Sequence, residues 1–163
     1  MMFSMIDLDE TDLAILRELQ ADGRISNVEL AQRINLSPPA THTRLKRLQE
    51  QGTIRQYVAL VDQEQLGYDM TCFVNIGLSL HQVEELESFR AIINEMPQVL
   101  ECYHVTGEFD YLLKVVVRNR KDLQRFVVQE LTPIHGVARI YTSLVLSEVK
   151  STTALPIWDK DEG

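Results

Sequence analysis

Two groups of polar residues have the types and spacing to do chemistry. The first is cationic: Arg44, Lys46, Arg47 and Arg55 face only one acid, Glu50, between Ser37 and Arg55. That is a local +3 in a chain whose net charge is −8. Clustered cations suit phosphate, and neighbouring hydroxyl and imidazole groups such as Thr43 and His42 suit base edges. The second group is Thr106-Gly107-Glu108-Phe109-Asp110, with two carboxylates beside a glycine. Carboxylates this close could serve acid–base catalysis or hold a metal. Neither has a supporting cast, because His104 precedes the loop alone and no His or Cys stands at ligand spacing. No nucleophile motif, phosphate loop or dinucleotide fingerprint occurs. From the residues alone, this stretch reads as a solvated hairpin tip.

The elements that must position the cations are written in capping signals. Asp9 can cap a helix carrying the stripe Leu8, Ile15, Leu16, Leu19, which Gly23 stops. Ser26 and Glu29 form an S-x-x-E capping box, with Ile25 and Leu30 placed as a hydrophobic staple. Leu30, Ala31 and Ile34 face a core, and Asn35 can take the left-handed turn that ends this short helix. Ser37 then caps a third helix with Pro38 at its first position, and Gly52 ends it. A short helix, a tight turn and a basic helix make a helix-turn-helix pattern. On the third helix Thr41, Leu45 and Leu48 share the core face, which turns Pro39, Thr43, Lys46, Arg47 and Glu50 outward, with His42 and Arg44 on the flanks. Such a row, starting at the N-terminal turn, is what a major-groove reader needs. The expected partner is double-stranded DNA, read by Ser37, Pro39, His42, Thr43, Arg44, Lys46 and Arg47.

The run from Ile54 to Val61 reads as a strand, a wing or an arm, apolar enough on both faces to be covered by a partner subunit. From Thr71 the period changes to two. Cys72, Val74, Ile76, Leu78 and Leu80 form a strand, and Val83, Leu86, Phe89 and Ile93 a helix closed by Pro97. Strands over 99–106 and 111–118 flank the Gly107–Asp110 turn. Leu123, Phe126, Val127 and Leu131 mark a second helix, and 137–149 a last strand. The order βαββαβ is the ferredoxin-like arrangement, an antiparallel sheet with both helices on one face. Val115, Val117, Leu144 and Leu146 are expected on the other face, where they would need a second subunit. An RNA-binding sheet of the same order stacks bases on aromatics in its central strands, and the strand 112–117 has none.

The predicted class is therefore α+β: a winged helix-turn-helix over 1–53, a connecting strand and linker over 54–67, a βαββαβ sensing and assembly domain over 68–157, and a tail over 158–163. With 45% hydrophobic and 25% charged residues, the composition is that of a water-soluble globular protein. The acidic N-terminus lacks the regions of a signal peptide, and no apolar run is long enough to span a bilayer, so a cytoplasmic protein without membrane contact is expected. Cys72 and Cys102 lie in apolar stretches and are expected as buried, reduced thiols.

Several motifs in order resemble the Lrp/AsnC family of feast/famine regulators over nearly the whole chain. They are Ile6-Asp7-Leu8-Asp9, Arg24-Ile25-Ser26-Asn27, Leu36-Ser37-Pro38, Arg44-Leu45-Lys46-Arg47-Leu48, and Val105-Thr106-Gly107-Glu108-Phe109-Asp110-Tyr111-Leu112-Leu113. The ending Glu148-Val149-Lys150 and Thr153-Ala154-Leu155-Pro156-Ile157 looks like the branch that controls amino-acid catabolism or detoxification genes. The resemblance implies homodimers, often gathered into octamers, and an amino-acid effector bound between dimers beside the 106–110 turn and the last strand. It carries an effector role onto Gly107, Glu108 and Asp110, with Thr106, Phe109 and Ser143 as further effector-binding candidates. Should the pocket lie elsewhere, Thr142 and Ser143 on the last strand are the next place to look. No cofactor beyond the effector and no enzymatic activity is implied. The third-helix start, Pro39-Ala40-Thr41-His42, departs from the family's commoner Thr-Pro-Cys pattern, which bears on operator sequence. Two other readings fit the residues: a helix-turn-helix that assembles with protein instead of DNA, and a regulatory module of a metabolic enzyme.

Overall fold

The computed structural model describes residues 8–79 and 83–158, with the backbone alone at Val83; the expected strand residue Leu80, the Ile6-Asp7 start of the first motif and the tail beyond 158 lie outside them. The chain divides into two compact units, one of residues up to Leu60 together with those from Lys150 onward, the other Val61–Val149.

The first unit contains α1 (Glu10–Ala21), α2 (Asn27–Arg33) and α3 (Pro38–Glu50). Asp9 caps α1 through a reciprocal box: it accepts from the Asp12 N–H at 2.8 Å, and Asp12 accepts from the Asp9 N–H at 3.2 Å. The expected box on α2 is one-sided. Ser26 accepts from the Glu29 N–H at 3.1 Å, but the Glu29 carboxylate turns to Arg33 at 2.7 Å. Arg33 also reaches Glu18 at 2.7 Å, which ties α2 to α1. Asn35 is left-handed with φ +54°, and the Leu36 N–H reaches the Ala31 carbonyl at 2.9 Å, closing the turn before α3. Ile15, Leu30 and Leu48 are fully buried at the centre, with Ile25, Ile34, Leu45 and Ile54 packed around them.

The expected strand over Ile54–Val61 is not formed. Ile54 joins the helical core, with its N–H on the Leu48 carbonyl at 3.1 Å, but the following residues have no ladder partner among the described residues. Tyr57, Val58, Leu60 and Val61 stand exposed. Their apolar character was legible; a strand also needs a neighbouring edge, and the described residues offer them none. Within residues 150–157, which the sequence reading groups with the second domain, Leu155 and Ile157 bond to α1. Gln20 donates to the Leu155 carbonyl at 3.0 Å and accepts the Leu155 N–H at 2.6 Å, and Arg17 donates to the Ile157 carbonyl at 3.3 Å.

In the second unit β1 (Met70–Leu78), α4 (Val83–Asn94), β2 (Val99–His104), β3 (Tyr111–Val117), α5 (Arg120–Arg125) and β4 (Val137–Leu144) follow the βαββαβ order. The sheet is antiparallel with order β2-β3-β1-β4. Its core holds Cys72, Val74, Ile76, Leu113, Val115 and Val117 beneath Phe89, Ile93, Phe126 and Leu131 of the helical segments. Val115 and Val117 therefore lie on the helix side, at 0% and 4% exposure, and not on the opposite face where the sequence reading put them. Leu144 aligns with Cys72 and shares that side, while Leu146 lies past the strand and is exposed. The face turned from the helices carries Phe73, Asn75, Leu112, Lys114 and Tyr141 by register. The expected second helix changes winding midway: α5 continues as a π-helical turn over Phe126–Leu131, and the Thr132 N–H reaches back five residues to the Val127 carbonyl at 3.0 Å. β4 ends at Leu144, earlier than the expected 149, with one further bond from the Val145 N–H to the Thr71 carbonyl. Cys72 is buried as expected, but Cys102 is exposed, because β2 is an edge strand.

Candidate DNA interface and effector site

The third helix presents its residues largely as its periodicity requires. Thr41 and Leu48 are buried and Leu45 half-buried, while Pro39, His42, Thr43, Lys46 and Arg47 are exposed. Two of the expected readers spend their polar atoms locally. Ser37 caps the helix through the Ala40 N–H at 3.4 Å, and the Thr43 hydroxyl donates to the Pro39 carbonyl at 3.0 Å, keeping its lone pairs outward. The cations differ more sharply than their shared charge suggests. Lys46 is 67% exposed, with only a loose 3.7 Å pair to Glu50. Arg44 is drawn toward α1, donating to Asp9 at 2.7 Å and Asp12 at 2.8 Å. Arg47 also reaches Asp12, at 2.5 Å. Asp12 is fully buried, so two guanidinium groups of α3 neutralise the carboxylate that also closes the cap of α1. The Arg44 guanidinium, followed by the Asp12 N–H, holds the Asp9 carboxyl below the usual aspartate range. Sequence reasoning missed Asp12; its three-residue spacing from Asp9 was the available signal.

In the second unit the 106–110 turn is fastened to the end of β1. A bulge between Gly77 and Leu78 frees the Leu78 N–H, and the Asp110 carboxylate accepts it at 2.7 Å. The Asp110 N–H reaches the Ile76 carbonyl, and the Val105 N–H reaches the Asp110 carbonyl, both at 2.9 Å. Gly107 has φ +124°, a conformation open in practice only to glycine. Thr106, Gly107 and Glu108 are exposed, and Phe109 and Asp110 half-buried.

A cation absent from the sequence reading completes this cluster. Arg139 pairs with Gly77 across β1 and β4, and its side chain lies over that glycine so closely that a Cβ there would meet Nε at 3.0 Å. Its guanidinium donates to the Glu108 carboxylate at 3.3 Å and the Glu108 carbonyl at 2.6 Å, and stands 5.0 Å from the centre of the Phe109 ring. The Phe109 and Tyr141 rings are 6.3 Å apart. Both charge signs and an aromatic ring thus converge on an exposed turn. Ser143 is not brought to it: it lies opposite Phe73, four positions along β4 from Arg139, roughly 13 Å away at strand rise. Thr142 points to the helix side, opposite Val74. Among the described residues no cluster of His, Cys, Asp or Glu could hold a metal ion, and no helix is long and apolar enough to cross a membrane.

Comparison with known proteins follows the same division. Residues 8–55 match a winged helix-turn-helix DNA-binding domain, and residues 71–155 match the Lrp/AsnC ligand binding domain. The chain is 42% identical over 152 residues to the transcriptional regulator AzlB of Bacillus subtilis, covering 93% of this chain and 97% of that one. It is 40% identical to the Bkd operon transcriptional regulator of Pseudomonas aeruginosa, covering 94% and 100%. Among solved structures, a Neisseria meningitidis transcriptional regulator in complex with L-Met superposes with a TM-score of 0.89 at 39% identity, over 92% of this chain and 97% of that one. AsnC of E. coli superposes at 0.84 with 29% identity, over 92% and 99%. A basic helix set behind a tight turn, and a βαββαβ unit matched along with it across nearly the full length of such relatives, place this chain in the Lrp/AsnC family of DNA-binding transcriptional regulators, which are not enzymes.

Proposed function

We propose that this regulator senses an amino acid at the 106–110 turn and transmits its presence to DNA bound by α3. The observation that carries the reading is the Arg139–Glu108 pair beside the left-handed Gly107 turn. A zwitterion needs an anion and a set of donors together, and this cluster offers Glu108 and Asp110 for an ammonium, and Arg139 with turn N–H groups for a carboxylate. The L-Met complex of the Neisseria relative agrees with that chemistry. On the DNA side His42, Thr43 and Lys46 face outward free of α1, and Ser37 and Pro39 open the helix at the groove; Arg44 and Arg47 contribute positive potential while bracing α3. The protein acts in the cytoplasm, where both DNA and metabolite are found.

Calorimetric titration of the amino acids into wild type and Asp110→Ala, paired with DNA retardation, tests this reading. Asp110→Ala should lose amino-acid binding and the ligand response, keep basal DNA binding, and lose about 1 kcal/mol of stability with the Leu78 bond. Equal affinity in the two proteins would place the pocket elsewhere. A coupling of about 1–3 kcal/mol between ligand and DNA is ordinary for such a switch.

A further inference from the structure

The second unit has a cavity of about 520 Å³ at the other end of its sheet from the 106–110 turn. It is lined by Val117 and Arg118 at the far end of β3, and the six residue steps back to Tyr111 span roughly 20 Å. Its volume lies within the range of small-molecule sites. Val117 and Phe126, both buried in the core, contribute apolar side chains to its otherwise largely polar lining.

The charges around it are unequally satisfied. Arg125 pairs with Asp122 at 3.2 Å and with Glu130 at 3.7 Å, and Glu130 also accepts from the Gln98 amide. Both acids of the lining are therefore engaged. Arg118 is different: its guanidinium stands 5.9 Å from the centre of the Tyr68 ring and meets no carboxylate among the described residues. A ring face holds the group in place without neutralising it. The wall carrying Phe126 and Glu130 is the π-helical turn, a winding less stable than the α-helix that recurs at functional sites.

We propose that this cavity binds a small organic carboxylate, its charged end on Arg118 and its apolar part against Val117 and Phe126. The acids here are already paired, so the ligand needs no ammonium group, unlike the one assigned to the 106–110 turn. The two sites therefore select different molecules and lie at opposite ends of one sheet.

Isovalerate and phenylacetate, which carry a carboxylate and no ammonium, are the probes. Each is titrated into the full chain, with inorganic phosphate as a third ligand, and followed by calorimetry and backbone amide NMR. At least one of the two carboxylates should bind saturably and shift the amides of residues 116–118 and 126–131. Arg118→Gln should weaken it by about tenfold or more, and Arg118→Lys by less, since lysine keeps the charge without the fork. Arg118 is exposed and outside the core, so both variants should fold as wild type does. The assignment is overturned by any of four results: no saturable binding of either carboxylate up to roughly 10 mM, equal affinity in Arg118→Gln, shifts confined to residues 106–110 and β4, or phosphate binding more tightly than both carboxylates.

Discussion

Lys46 and Arg47 adjoin in the sequence and carry the same charge, but their surroundings give them different work. Lys46 stands on an outward face with only a loose pair to Glu50, whereas Arg47 neutralises a buried carboxylate. Lys46→Ala should leave thermal stability unchanged and lower the salt slope of DNA binding by roughly 0.9 if one phosphate contact is lost. Arg47→Ala should lower stability by about 1 kcal/mol, since Asp12 keeps one guanidinium in place of two and the bond is partly exposed. Identical melting curves for the two variants would remove Asp12 as a brace of α3. Acid provides a second check at this scale. The Asp9 carboxyl is held low in the folded unit, so its contribution is complete at neutral pH and is lost as the pH falls through and below the ordinary aspartate range. Asp9→Asn should therefore flatten the acid limb of a stability-against-pH curve; an unchanged limb would show that the Arg44 pair contributes nothing.

Elements whose boundaries depend on neighbours in sequence were the most legible. Asp9, Ser26 and Ser37 cap the three helices as their types require, and Asn35 sits in the left-handed turn. Asn35→Ala should cost about 1 kcal/mol in a thermal melt, while Asn35→Gly should stay within about 0.5 kcal/mol of wild type. Equal losses in both would show that the asparagine side chain, and not the backbone conformation, matters there. What could not be read depends on distant parts of the chain. Alternation showed that Val115 and Val117 share a face, but the side that α4 and α5 cover decides whether that face is core. Arg139 reaches the 106–110 turn only through the register of β4 on β1, which joins residues some sixty positions apart, so no local motif announces it. The stripe Leu123, Phe126, Val127 and Leu131 fits an α-helix on paper; the π turn was not legible because it shifts the stripe by a single residue.

At the scale of the molecule, Tyr57, Val58, Leu60, Val61 and Tyr141 stand exposed, and Phe73 and Leu112, on the same sheet face as Tyr141, are half-buried. These apolar groups are incompletely covered by the described residues. We expect a second copy to complete the cover, giving at least a dimer, with DNA half-sites about one helical turn apart or a multiple of it. Light scattering across micromolar concentrations should find no monomer, and a monomer there would contradict the assignment. An assembly also gives the effector something to bias, since a ligand shifts an equilibrium only by binding one of its states better.

The contacts of Gln20 and Arg17 with Leu155 and Ile157 give the chain an unusual bookkeeping. It leaves the first unit after Leu60 and rejoins it at Lys150, so the sensing unit is spliced into the DNA-reading unit and not appended to it. The chain crosses between the halves twice, and the crossings are not equivalent. A nick after Val149 leaves the covalent link at Leu60–Val61, whereas a nick after Leu60 leaves residues 1–60 held through the hydrogen bonds of Arg17 and Gln20. A chain cut back to Val149 would convert an insertion into a tandem array, with the bare flank of α1 at Arg17 and Gln20 as its mark.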